Sequence, residues 1–369
     1  MTAVYNAPAG WELPRSKEGL MDLGLYLEFP RRDGESEAQA FEESMVQARM
    51  AEDLGLDSVW LAELHFSPGR SVLASPLLVA SYIAGITQRV HVGTAVEVLP
   101  LGNPLRLAEE VATLDHICHG RLEFGIGRSG AANAYKAYNV PYDESKSRFF
   151  EALEIMIAAW TQERFSYDGR FFQYNDVCVV PKPLQQPYPS LRIAVNSPDT
   201  FPVAAQMRLP IFIGLRARPD LLQQRVDSYY QAWDEAGNPG KPDVCLRLPI
   251  YVAETMEKAL KEPKESAMAF SKSRLELAVN QPIPGLSDEE NQERIERGKR
   301  VQNMTYEEVL ESDVAFGTPE VVTQKVLEYK KKFQLSSIII EVNIGSTIPR
   351  VGVENSIRLF AEEVAPHLR

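Results

Sequence analysis

Cysteine is scarce: Cys118, Cys178 and Cys245 are the only three in 369 residues, scattered and odd in number. That excludes a disulfide framework and points to a reducing, cytoplasmic setting. Histidine is scarce as well, with five in all. His116 and His119 flank Cys118 at the end of a predicted helix, where histidine satisfies terminal carbonyls. No further ligand stands at zinc-site spacing, so no metal is expected. No apolar run approaches the roughly 20 residues of a spanning helix, so no membrane contact is expected. A net charge of −12 argues against a nucleic-acid partner, although it leaves room for one local basic pocket. Residues 1–20 carry Trp11, two prolines and several charges but no apolar signal core, and read as a flexible N-terminal arm.

What is present is rhythm. Short apolar runs at 22–29, 58–61, 90–99, 121–127, 191–195, 210–214, 245–252 and 336–343 read as eight strands. They alternate with helical periodicity at 36–54, 75–87, 104–117, 144–162, 200–207, 218–236, 319–333 and 351–364. Near-continuous apolar strands in one chain-wide βα repeat predict a closed (β/α)8 TIM barrel as a single domain over 21–369. Two insertions interrupt it. Two aromatic β-type runs around Tyr167-Asp-Gly-Arg170 predict a hairpin after strand four, held to the barrel by Phe165, Tyr167, Phe171, Phe172 and Tyr174. A charged stretch at about 261–312 follows strand seven and is read either as a lid over the barrel mouth or as a solvated decoration.

The densest motif is Arg121-Leu-Glu-Phe-Gly-Ile-Gly-Arg-Ser-Gly130. Its glycines let the backbone approach a ligand, and Arg128 offers a planar fork suited to a phosphate. The Gly125-x-Gly127-x-x-Gly130 spacing matches a dinucleotide turn, but no clear helix is expected before about residue 143, and several βα units precede it. A phosphate loop at the end of an inner strand suits it better. Barrel active sites form at the C-terminal strand ends. Those ends carry Glu63 to Phe66, Ala95 to Glu97, Gly127 to Ser129, Asn196-Ser197, Gly214 to Arg216 and Glu341 to Asn343, which must converge. Ser197 and Thr200 lie at a predicted helix start, where their hydroxyls serve as caps, as anion contacts, or both. His65, beside Glu63, is read either as a structural residue or as a group that tunes a proton. Arg216 and Arg218, after strand six, are read as a solvated surface pair or as contacts for an acidic substrate.

Four segments in order, Trp60-Leu-Ala-Glu-Leu-His-Phe66, Val92-Gly-Thr-Ala-Val-Glu-Val-Leu-Pro100, Leu114-Asp through Gly120-Arg121, and Phe124-Gly-Ile-Gly-Arg128, resemble the strand-end motifs of the bacterial luciferase-like flavin monooxygenases. The resemblance runs from about residue 21 to the C-terminus. It implies a two-component enzyme in which a separate flavin reductase supplies reduced FMN and O2 is activated as a flavin hydroperoxide to oxidise a small organic substrate. It places Arg128, Asn196, Ser197 and Thr200 around the FMN phosphate, and a non-proline cis peptide at Ala95-Val96 beneath the ring. Glu63 and His65 then face the reacting centre, and the early helices form a homodimer. The chain departs from luciferase itself at Leu64, Gly127 and Asn196, which replace a histidine, a cysteine and a glutamate, so light emission from an aldehyde is not implied. Two alternatives remain on the same fold: deazaflavin-dependent hydride transfer, and a non-catalytic flavin-binding protein.

Overall fold

The computed structural model describes residues 20–215, 219–270, 304–312 and 314–369, with scattered positions between 288 and 299. Eight parallel strands run through it: β1 (Asp22–Leu27), β2 (Ser58–Leu61), β3 (His91–Thr94), β4 (Leu122–Gly127), β5 (Ser190–Ala194), β6 (Ile211–Gly214), β7 (Val244–Val252) and β8 (Ser337–Glu341). Neighbours in sequence pair side by side, and β8 returns to β1, with Asp22 opposite Ser337 and Leu25 opposite Ile340. The ring is therefore closed, and the eight-unit barrel expected from the alternation is the observed fold.

Helices α1 (Glu37–Asp53), α2 (Pro76–Ile86), α3 (Pro104–Ile117), α4 (Ser145–Thr161), α5 (Thr200–Gln206), α6 (Pro219–Glu235), α7 (Pro319–Phe333) and α8 (Arg350–Leu359) surround the ring. Their starts are written locally. Ser36 and Gln39 form a reciprocal capping box on α1, and Asn103 accepts from two backbone amides ahead of Pro104 on α3. The outer core between strands and helices is one large apolar cluster. A separate cluster of Tyr26, Trp60, Ala62, Phe212, Cys245 and Ile339 fills the barrel interior. Trp60 takes the space that side chains at Gly24 and Gly93 would claim: an added Cβ would lie 2.8 Å and 2.4 Å from the indole. Its Nε1 donates to Ser58 Oγ at 2.8 Å, and the ring meets Phe212 edge-on at 4.9 Å.

Several boundaries differ from the sequence reading. The run 90–99 is not one strand. β3 stops at Thr94, the Ala95–Val96 peptide is cis, and Glu97–Val98 then pairs with Ile126 and Gly127 of β4 before a 3-10 turn at Leu99–Leu101. A short helix, Ala132–Ala137, follows the glycine-rich turn where none was expected. It lacks a side-chain cap and is held by tertiary contact, since Tyr135 is buried against Arg128 and Tyr142. A three-residue strand, Ala315–Gly317, lies beside the end of β7 and was not anticipated.

The hairpin does form, with Phe165–Asp168 antiparallel to Gln173–Val177. Glu151 of α4 accepts the backbone N–H groups of Arg170, Phe171 and Phe172, and Phe171 lies between the guanidiniums of Arg148 and Arg170. After β7, helix Met256–Lys261 leads into helical residues 264–270, which pack on the loop beyond β8. Ser266 Oγ donates to the Ile344 carbonyl at 2.5 Å and accepts from Thr347 N–H at 2.9 Å. Helix Tyr306–Ser312 closes the insertion. Most of the expected lid between 271 and 303, the arm over residues 1–19, and Arg216 and Arg218 lie outside the described residues.

Candidate functional site

The loop after β4 sits at the C-terminal face of the ring, where its glycines set the close approach. A Cβ on Gly125 would lie 1.9 Å from the Thr94 carbonyl oxygen, and one on Gly127 would lie 2.4 Å from Val96 Cγ2. Larger residues would push the strand end off Ala95–Val96. Gly130, by contrast, opens onto free space. Between them Arg128 projects a guanidinium whose one hydrogen-bond partner among the described residues is Ser145 Oγ, at 3.4 Å, on the first residue of α4.

Beyond β5 the chain adds two hydroxyls. Ser197 Oγ and Thr200 Oγ1 lie 2.8 Å apart, and Thr200 is buried. Asp199 lies between them and the α4 terminus, where Lys146 Nζ donates to Oδ2 and Thr200 Oγ1 to Oδ1 at 3.5 Å. Burial works to raise the Asp199 carboxyl. Bonds from Lys146 and Ser197, with the charge of Arg128 nearby, hold it below the ordinary carboxylate range. Asp199 thus joins Lys146 to the Ser197 and Thr200 hydroxyls and feels the charge of Arg128, which places these groups in one region beyond the strand ends. Asn196, which precedes Ser197, is exposed, and its carbonyl accepts from Arg225 at 2.8 Å.

A second group forms after β2. His65 Nε2 lies 2.6 Å from Glu63 Oε1, and Glu63 Oε2 accepts the Val98 N–H at 2.6 Å. Both side chains are nearly enclosed, 7% and 8% exposed for Glu63 and His65. The carboxylate assigns the Nε2–H tautomer to the ring, which leaves Nδ1 facing the Tyr138 hydroxyl at 3.3 Å. Tyr138 meets the imidazole edge-on and Phe66 at a tilt, and they remain 45% and 57% exposed. The helix Ala132–Ala137 links the two groups, because Tyr135 donates to the Arg128 carbonyl and Tyr138 follows three residues later. Tyr138, Ser145, Lys146 and Asp199 were not singled out from the sequence.

Glu97 lies behind this pair. Burial, and then the charge of Glu63, push its carboxyl well above the usual range, and Oε2 has no hydrogen-bond partner among the described residues. A carboxyl whose folded pKa is raised weakens the fold as pH rises through the unfolded value, since the protein must keep it neutral. Glu97→Gln is therefore expected to raise the melting temperature at pH 8 and to match the parent at pH 4. Melting curves at the two pH values check this, and equal curves at pH 8 would count against a neutral Glu97.

The opposite side of the mouth is ionic. Glu28, Arg247 and Glu341 each stand two residues beyond an interior residue of β1, β7 and β8 and so form the next layer up. Arg247 bridges Glu28 at 2.9 Å and Glu341 at 2.8 Å, and its guanidinium lies 3.9 Å from the centre of the Tyr26 ring. Arg70, from the loop after β2, also binds Glu28. Glu341 was read from the sequence as a strand-end residue, whereas Arg247, Glu28 and Arg70 were not. A cationic residue inside the apolar run 245–252 was the available signal.

With this geometry in hand, the chain can be set beside known proteins. A family model described as luciferase-like monooxygenase matches residues 21–333. The chain belongs to the luciferase-like monooxygenase family. Among curated relatives, the uncharacterized protein y4vJ of Sinorhizobium fredii is 36% identical over 166 residues, 45% of this chain and 47% of that protein. The oxygenase component of the flavin-dependent trigonelline monooxygenase of Acinetobacter baylyi is 25% identical over 279 residues, 73% of this chain and 77% of that protein. The match thus spans about half the length of the first curated relatives. Among solved structures, the oxygenating constituent of 3,6-diketocamphane monooxygenase from Pseudomonas putida, in complex with FMN, shares the fold. Its TM-score is 0.76 at 20% identity, covering 95% of this chain and 99% of that one. The F420-dependent glucose-6-phosphate dehydrogenase of Kineococcus radiotolerans is also similar, 35% identical over 158 residues, 41% of this chain and 46% of that protein.

Proposed function

We propose that the chain is the oxygenase component of a two-component, FMN-dependent monooxygenase, working in the cytoplasm with a separate reductase on a small organic substrate. The observation that carries this reading is the Arg128 guanidinium. Among the described residues its one hydrogen bond is the long one to Ser145, and its charge acts on Asp199, which the Ser197 and Thr200 hydroxyls bond. Such a donor set suits a phosphomonoester. The family match and the flavin-dependent relatives support the choice of cofactor.

Reduced FMN would supply the electrons with which O2 oxidises the substrate. In this reading Arg128, Ser197 and Thr200 grip the phosphate, with Asn196 at the rim, and Ala95 and Val96 support the ring. Glu63 fixes the His65 tautomer, so that Nδ1 and the Tyr138 hydroxyl hold a proton at the reacting centre. Phe66 and Tyr138 wall off water on that side. A homodimer through the early helices is supported by Leu78 and Tyr82, one turn apart on α2 and both exposed.

The test is flavin titration followed by turnover. Quenching of FMN fluorescence, then reductase-dependent incorporation of labelled oxygen from O2 into a product, would sustain the reading. The F420-dependent relatives favour a second reading, hydride transfer from a deazaflavin. Preferential binding of F420, with substrate turnover in the absence of oxygen, would replace the first reading by the second. Tight FMN binding without turnover on any substrate would leave a flavin-binding protein.

A further inference from the structure

The groups that a phosphate needs are engaged by a carboxylate of the chain itself. Lys146 Nζ and Thr200 Oγ1 both contact Asp199, and the Ser197 hydroxyl bonds it as well. Arg128 lies close enough for its charge to act on the same carboxylate while its guanidinium makes one hydrogen bond among the described residues, to Ser145. Asp199 does not serve its own helix, because it caps α5 in position only and makes no side-chain cap bond. Its interactions point instead into the cradle.

We infer that Asp199 acts as an internal anion in the cofactor-phosphate seat, displaced when cofactor binds, and is the residue that keeps the cofactor exchangeable. This rests on the FMN reading above. The charge count explains why. Arg128 and Lys146 bring two positive charges, and Asp199 cancels one of them. A phosphomonoester carries about −1.5 to −2 at neutral pH. Such a group and a carboxylate cannot share the Lys146 ammonium without repulsion. Lys146 and Asp199 side chains are each 50% exposed, so both can swing into solvent without moving the backbone. A cofactor that arrives reduced and leaves oxidised needs a seat that releases it. A self-occupied seat lowers affinity for the phosphate and leaves contacts to the ring unchanged.

The experiment compares Asp199→Asn with the parent by fluorescence titration of FMN and of riboflavin, which lacks the phosphate. Asp199→Asn is expected to bind FMN about 5-fold to 10-fold tighter, to release it more slowly, and to bind riboflavin as the parent does. Lys146→Ala is expected to weaken FMN binding more in the Asp199→Asn background than in the parent, where Asp199 already holds the ammonium. Melting curves establish that each variant is folded, and Asp199→Ser serves as a second variant if asparagine perturbs the loop. Unchanged or weaker FMN binding by Asp199→Asn, or an equal gain for riboflavin, overturns the inference alone. A parent chain that binds no FMN overturns the functional reading and this inference with it.

Discussion

Arg128→Ala is expected to raise the dissociation constant for FMN by about 100-fold or more while leaving riboflavin binding little changed. Hydrogen bonds to charged groups contribute about 1.5–3 kcal/mol each, and a planar guanidinium offers a phosphate two of them. Losing both removes at least about 3 kcal/mol, or two powers of ten in affinity. The loss should fall on the phosphate, because among the described residues Arg128 makes no hydrogen bond to the β3 strand end. Its Nη1 reaches Ser145, and its carbonyl accepts from Tyr135. The carbonyl survives in alanine, so the helix Ala132–Ala137 keeps its anchor and His65 keeps Tyr138. Arg128→Lys should lie between parent and alanine, since an ammonium supplies charge without the fork. Parallel titrations with FMN and riboflavin measure both effects. Equal weakening of the two ligands would show that Arg128 shapes the loop and does not grip the anion.

The second large effect concerns stability. Arg247→Met is expected to destabilise the fold by about 3–5 kcal/mol, the usual cost of removing one partner from a buried ion pair. Glu341 loses its guanidinium altogether, while Glu28 keeps Arg70. Burial alone would raise the Glu28 carboxyl, yet Arg70 and Arg247 outweigh it and hold it down at about 2. Because that value lies below the ordinary one, Glu28 stabilises the parent fully above about pH 4.5, and the effect fades as pH falls towards 2. Glu341 runs the other way: burial lifts its carboxyl above the ordinary value even with Arg247 beside it. Without Arg247 it stays protonated to higher pH, so the penalty in Arg247→Met should grow from acid to neutral pH. Urea unfolding at pH 4.5 and pH 7.5 checks the sign, and a penalty independent of pH would reject the electrostatic account. Arg247→Met combined with Glu341→Leu should recover part of the loss, since no charge then remains unpaired at β8.

The barrel was legible because each strand is a short apolar run closed by glycine, proline or a charged turn, and each helix repeats at 3.6 residues. Helices at 104–117 and 319–333 coincide with the observed Pro104–Ile117 and Pro319–Phe333. Arg128 was singled out because its motif occurs in family order at a strand end, and Ser197 and Thr200 because they follow a strand end at a helix start. What escaped depends on distance through the fold. Tyr138 meets His65 across 73 residues, and Lys146 meets Asp199 across 53. No spacing along the chain announces such pairs. Ser145 looks like any serine at a helix start, and only the guanidinium opposite sets it apart. Ala132–Ala137 was missed because it is one turn and a half of uncapped helix, fastened by Tyr135 and not by propensity.

The indole of Trp60 has a consequence for engineering. It stands upright in the barrel, wedged between two positions that have no side chain and braced by Phe212. With Tyr26, Ala62, Phe212, Cys245 and Ile339 it fills the barrel interior, so trimming it to leucine or valine would leave a cavity beside Phe212. A side chain at Gly24 or Gly93 would instead have to displace the indole, which lies 2.8 Å and 2.4 Å from an added Cβ.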